Sequence, residues 1–238
     1  MMTQAEKERR LNDAFAALTH TLVHDYDFIE LLQTLVEISR DVTGALEVGL
    51  LLADEQGRLE VVTSTRENGD LVETMQRGAD AGPCHQCFVT GEIVADPDIA
   101  ASRPEWAQFR DAALALGLES LVAIPMRYRN TTIGVLSLYG DHSTHLGEPD
   151  LRAAQSLADA ATISILHERA LHEPGLLQQQ LSLTLNTRVL IEQAKGVLAQ
   201  LHGIDPEEAF TELRDYARAH DRTLVNVASG LVDRTLTF

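Results

Sequence analysis

The stretch from Asn186 to Leu236, NTRVLIEQAKGVLAQLHGIDPEEAFTELRDYARAHDRTLVNVASGLVDRTL, constrains this chain more than any other. Its punctuation divides it into three helices. The first extends from about Leu176 to Leu201 and stops at Gly203, a residue suited to the left-handed turn at a helix C-terminus. Asp205-Pro206-Glu207-Glu208 opens the second, with Asp as N-cap, Pro at the first helical position and two carboxylates at the positive end of the helix dipole. Its inward positions are Ala209, Phe210, Leu213, Tyr216 and Ala217, and it ends around His220-Asp221. Thr223 caps a third helix carrying Leu224, Val227, Ala228, Leu231 and Val232. Three such stripes bury themselves by facing one another. The core they make is slight, so the bundle is expected to lean on the preceding helix or on a partner chain.

The first of these helices carries two distinct sets of residues. Leu190, Ala194, Val197, Leu198 and Leu201 are expected to point toward the core, while Arg188, Glu192 and Lys195, at i, i+4 and i+7, share another side. From the residues alone those charges read as a solvated salt-bridge face. Gly196 is the anomaly, because glycine inside a helix costs about 1 kcal/mol relative to alanine. A close neighbour must gain from the missing side chain, whether another helix or a nucleic-acid backbone. Arg214 and Arg218 are expected to face solvent, within reach of Glu212 or Asp215, and Arg222 and Arg234 lie near the ends of the third helix. A DNA-reading helix-turn-helix would also give three short helices, but its recognition helix displays several polar or basic residues, and here there are chiefly Asn226 and Ser229.

Upstream, Leu11, Ala14, Phe15, Leu18 and Leu22 mark an amphipathic helix over residues 3 to 24, and a second runs from about Asp27 to Gly44. The pattern then turns to strands. LEVGLLLAD and RLEVVTSTR flank a turn at Glu55 to Arg58 and read as a hairpin, followed by a short helical piece at Leu71 to Gln76, the loop DAGPCHQC and a brief strand in EIVADPD. Pro104 to Leu116 is helical. SLVAIPMRY and TTIGVLSLYG form a second strand pair around Arg129 to Thr131, with the imperfect alternation of strands covered on both faces. A long helix from Glu148 to His172 carries Leu151, Ala154, Leu157, Ala158, Ala161, Ile165 and Leu166, and Pro174-Gly175 interrupts it.

Charge limits what the chain can bind. The net charge is −17, yet from Gly175 onward six basic residues face eight acidic ones, so the deficit is concentrated in the first part of the chain. A general nucleic-acid binder is basic overall, so any such contact must be a local patch. No apolar run approaches the 18 or so residues of a membrane span, and MMTQAEKERRLND is not a signal peptide, so a soluble, cytoplasmic protein with no membrane partner is expected. Cys84-His85-Gln86-Cys87 is a CxxC, open to reading as a redox pair, half of a metal site, or two idle thiols. A tetrahedral zinc site needs a second pair that the sequence lacks, and Phe88 after Cys87 removes the haem-attachment motif. No metal and no catalytic grouping is expected; whether a cofactor is bound is left open.

Two resemblances sharpen this. GPC at 82 to 84, TGEIVADPD at 90 to 98, WAQFRDAALALGLES, AIPMRY and IGVLSLYG, in that order, resemble a GAF domain over residues 20 to 170. IEQAKG at 191 to 196 with Arg188, EEAF, LRDYA and LVNVA resemble an ANTAR domain, the RNA-binding module of bacterial transcription antitermination regulators. Together they imply an α+β sensor domain over 1–172, a mostly antiparallel sheet flanked by helices. A long connecting helix and a three-helix all-α bundle over 176–238 follow. The GAF resemblance implies a small-molecule pocket near Cys84, Cys87, Asp96, Trp106 and Phe109, with Trp106 and Phe109 open to reading as plain core. It also implies a homodimer packed through flanking helices, for which the Ala154, Ala158 and Ala161 stripe permits close approach; the alternative is that the Leu11 and Leu157 stripes are intramolecular core. The ANTAR resemblance turns Arg188, Glu192, Lys195, Gly196 and Arg222 into contacts to RNA stem-loops. No receiver-type phosphoacceptor pattern is present, so control by direct phosphorylation is not expected. Two alternatives stay open: a GAF-type thiol enzyme acting on free methionine sulfoxide, and a DNA-binding regulator.

Overall fold

The computed structural model describes residues 28–54, 56–65, 69–141, 146–171, 177–220 and 222–236, with side chains described throughout these except at 28–30, 167–188, 207 and 218. The helix expected over residues 3 to 24, the break at Pro174-Gly175 and the side chains of Arg188 and Arg218 lie outside this description. The chain divides into two compact units, the first containing Leu31–Leu171 and the second His172–Phe238.

In the first unit, α1 (Phe28–Thr43) precedes a five-stranded sheet of β1 (Glu47–Ala53), β2 (Leu59–Ser64), β3 (Val94–Asp96), β4 (Ser120–Tyr128) and β5 (Thr131–Gly140). Every pairing is antiparallel, in the order β2-β1-β5-β4-β3. β1 and β5 are buried along nearly their whole length, which is why their apolar pattern does not alternate. The connection between β2 and β4 holds α2 (Gly69–Ala81), α3 (Pro83–Thr90) and, after two 3-10 turns at Ile99–Ala101 and Pro104–Trp106, α4 (Ala107–Ala115). These helices close over Leu51, Leu121, Ala123, Val135 and Tyr139 to form one apolar core. α5 (Glu148–Leu171) packs on β4 and β5, and its Gln155 Nε2 donates to the Pro125 carbonyl at 3.3 Å.

Three expectations are corrected here. The segment DAGPCHQC is helical rather than a loop: Gly82 N–H bonds the Gly78 carbonyl at 3.0 Å and the Gly82 carbonyl accepts from Gln86 N–H at 3.0 Å, so α2 passes into α3 at one residue. A Cβ on Gly82 would stand 2.7 Å from the Gly78 Cα, so only glycine allows this join, and Pro83 supplies the first helical position. The helical piece at Leu71 to Gln76 extends over the whole of α2. The Ala154, Ala158 and Ala161 stripe is buried within its own unit, so it is not a face held open for a second copy.

Close contacts make the helical layer tight. Met75 sits over β1 so closely that a Cβ on Gly49 would meet its sulfur at 2.5 Å, and Phe109 lies 3.2 Å from where a Cβ of Gly78 would stand. The exposed side of β2 is covered too: the Gln76 carboxamide accepts from Val61 N–H at 3.3 Å and donates to the Leu59 carbonyl at 2.8 Å, the two bonds a neighbouring strand would make.

The second unit consists of α6 (Leu177–His202), α7 (Pro206–Ala219) and α8 (Leu224–Val232). Gly203 takes φ +69° and ends α6, with its N–H and that of Ile204 both on the Ala199 carbonyl. Asp205 Oδ1 accepts from Glu208 N–H at 2.9 Å and Thr223 Oγ1 from Asn226 N–H at 3.2 Å, so both N-caps form. The core is Ile191, Ala194, Leu198, Ala209, Leu213, Ala217, Leu224, Val227, Ala228 and Leu231. α6 is rotated from expectation: Ile191 is inside, whereas Val197 and Leu201, expected inside, are 36% and 67% exposed.

Candidate functional site

The rotation of α6 rearranges the expected charged face. Lys195 is not on the surface. It is 3% exposed, its Nζ donates to Glu192 Oε1 at 2.8 Å, and it lies 5.8 Å from the centre of the Phe210 ring on α7. A desolvated ammonium held by a carboxylate and an aromatic face is a structural tie between helices. Glu192 itself stays largely exposed. Arg222 is exposed at the start of α8, its N–H bonded to the Ala217 carbonyl at 3.0 Å. Arg214, expected in solvent, is half-buried.

What α6 leaves open is an uncharged strip. Val189, Gln193, Gly196 and Gln200 follow one another at helical spacing and all are exposed, with Val197 and Leu201 along one edge. Nothing lies within 4 Å of where a Cβ of Gly196 would stand, so no helix of this unit explains that glycine. Arg188 belongs to α6 beside this strip in sequence.

In the first unit Cys84, Cys87, Trp106 and Phe109 join one buried cluster with Met75, Val94 and Tyr139. Arg103 stacks on Trp106 at 5.1 Å and donates to Gln86 at 3.1 Å, tying the crossover to α3. Asp96 is not part of that cluster; it is buried at the end of β3, where the Ser102 hydroxyl donates to it. Burial pushes the Cys84 thiol up to about 12, and burial, followed by the charge of Cys84, pushes Cys87 up to about 12. Both cysteines are free. Thiols held protonated in this way are poor nucleophiles at neutral pH. Tyr139, which sequence reasoning missed, has a fully buried hydroxyl beside Cys84 that makes no hydrogen bond of good geometry. A tyrosine at an inward strand position was the available signal, since a buried phenol asks for a partner.

Among the described residues no group of three or more His, Cys, Asp or Glu is placed to hold a metal ion, and no helix is long and apolar enough to cross a membrane.

These features define an α+β unit with a buried apolar core joined to a small helical unit with an open, uncharged strip. Models of known families cover both: residues 25–165 match the GAF domain and residues 179–232 the ANTAR domain. The chain belongs to the GAF domain family and carries an ANTAR domain after it, the architecture of a sensory regulator.

Solved structures agree on the fold of the first unit. The chain is similar to a free methionine-R-sulfoxide reductase from Neisseria meningitidis in complex with its substrate, at 18% identity and TM-score 0.56, covering 72% of this chain and 96% of that one. It is similar to the GAF domain of a phosphoenolpyruvate-protein phosphotransferase from Acinetobacter, at 14% identity and TM-score 0.52 over 73% and 99%. The corresponding GAF domain from Coxiella burnetii gives 17% identity and TM-score 0.52 over 68% and 96%. Among curated proteins none matches the chain.

Proposed function

We propose that this protein is a transcription antitermination regulator in which the GAF unit receives a small-molecule or redox signal and the ANTAR helices bind RNA stem-loops. The observation that carries the reading is the open strip on α6, floored by Gly196 and lined with amide and aliphatic side chains. A glycine floor lets a sugar-phosphate backbone or an unstacked base come close, and RNA sequence is read mainly in such single-stranded loops. In this reading Arg188, Glu192 and the exposed Arg222 supply charge and hydrogen bonds to the RNA, and Lys195 acts by fixing α6 on α7. The strip's lack of cationic side chains disfavours duplex DNA, whose binding rests on phosphate neutralisation. Two copies would hold two neighbouring hairpins, so the binding species is a homodimer, which sedimentation equilibrium checks. The GAF unit acts by binding and not by turnover, in keeping with its buried, protonated thiols.

Filter binding of the full chain to a tandem stem-loop RNA and to duplex DNA of equal length tests this. RNA should be preferred. Gly196→Ala is the informative variant: with open space around the new methyl it should stabilise α6, by up to about 1 kcal/mol, while weakening RNA binding about tenfold or more, on the order of one lost close contact. Equal affinity for DNA and RNA, or full RNA affinity in Gly196→Ala, would count against the reading. Reduction of free methionine sulfoxide by the wild-type chain would instead establish the enzyme.

A further inference from the structure

Cys84 and Cys87 sit one turn apart on α3, both fully buried and both in the same core cluster. The Tyr139 hydroxyl is buried with them, beside both the Cys84 sulfur and the Ser137 hydroxyl, and makes no hydrogen bond of good geometry to either. A buried hydroxyl without a partner is uncommon and costly. It is explained if the acceptor it is built for arises only when something binds.

We infer that Cys84 and Cys87 form a two-coordinate site for a soft monovalent d10 cation, copper(I), with the Tyr139 hydroxyl donating to the Cys84 thiolate. Spacing favours this over a disulfide. Residues three apart on a helix hold their Cβ atoms about 5–6 Å apart, whereas a disulfide brings them to about 3.8 Å, so bridging by a metal asks for less movement of α3 than closing a disulfide does. A linear sulfur–metal–sulfur unit with bonds of roughly 2.3 Å separates the sulfurs by about 4.5 Å, a span compatible with Cβ atoms at that helical spacing.

Ligand chemistry selects the ion. Thiolates favour copper(I), while zinc takes four ligands, and the described residues gather no third His, Cys, Asp or Glu here. Of the surrounding Met75, Val94, Phe109 and Leu121, none offers a nitrogen or oxygen side-chain donor, and Met75 alone carries a further soft sulfur. Binding is a ligand exchange with no change of oxidation state: two thiols and one copper(I) give a bis-thiolate complex of charge −1, and two protons leave to solvent. The negative charge is met by the Tyr139 O–H at Cys84 and by the Val94 N–H at Cys87. The site goes beyond the RNA-binding reading and gives the sensor unit an input of defined chemistry, whatever its output engages.

The test is an anaerobic titration of the reduced full chain with copper(I) against a chromogenic copper(I) chelator. One equivalent should be withdrawn from the chelator, with a sulfur-to-copper charge-transfer band in the ultraviolet. Tyr139→Phe should weaken binding by about 10-fold, the scale of a lost outer-shell hydrogen bond. Cys84→Ala and Cys87→Ala should each lose about 100-fold or more, with circular dichroism reporting whether the fold is kept. Should an alanine variant fail to fold, X-ray absorption on the loaded wild-type chain carries the decision: two sulfur scatterers support the site, and a shell with a third ligand or with nitrogen overturns it. A chelator that keeps all its copper, or one-equivalent binding that survives in the folded double variant, also overturns it. None of these outcomes depends on RNA.

Discussion

At the scale of the residue, Lys195 has exchanged a role at the surface for one beneath it. Its ammonium is out of water while Glu192 stays largely exposed, so truncation removes a half-buried ion pair and a cation–π contact together. Lys195→Ala should destabilise the C-terminal unit by about 1–3 kcal/mol, and Lys195→Met, which keeps the stem, by less; thermal melts of the two variants give the comparison. A second expectation concerns the buried thiols. Their ordinary value is 9.0 and burial raises both to about 12, so unfolded chains lose these protons first as pH climbs. Stability is fully present below about pH 9 and should drain between pH 9 and 12, at up to roughly 1.4 kcal/mol per pH unit for each thiol. Denaturant melts across that window should show the slope in wild type, and a shallower one in Cys84→Ala.

At the scale of the element, Gln76 performs the work of a missing strand. Its carboxamide occupies the outer hydrogen-bonding positions of β2, and a free sheet edge invites pairing with another chain. Gln76→Ala should therefore cost about 1–2 kcal/mol and raise concentration-dependent association, read by light scattering; an equally monodisperse variant would show that the edge is protected some other way. How much of the architecture could be read in advance follows from where each signal resides. Gly203, Asp205-Pro206 and Thr223 carry their instructions locally, in a positive φ or a side-chain cap, and the helices of the second unit end and begin as those residues say. The rotation of α6 could not be read that way, because Leu190, Val197 and Leu201 compete with Ile191 and Leu198 at near-helical spacing and only the partners on α7 and α8 choose between them. Gly82-Pro83 reads as a loop from composition, and only the contact with Gly78 makes it a helix-to-helix join. The Tyr139–Cys84 pair was invisible for a third reason: its members meet only through the crossover fold.

At the scale of the whole molecule, the acidic excess of the chain sets how RNA can be held. With six basic residues against eight acidic ones from Gly175 onward, few phosphates can be neutralised. If two or three are engaged, the logarithm of affinity should fall against the logarithm of salt concentration with a slope of about −2; a slope several times steeper would mean a broad cationic surface formed some other way. The glycine contacts of the first unit bear on time rather than affinity. Met75 over Gly49, Phe109 over Gly78 and Gly82 against Gly78 hold the helices close on the sheet and on one another, with Cys84 and Cys87 fully buried beneath them. Anything that reaches Cys84 and Cys87 must wait for that layer to lift, so the rate of arrival saturates at the rate of opening and ceases to follow supply. Such a sensor reports the average of its surroundings over its own opening time, and brief pulses pass it unrecorded.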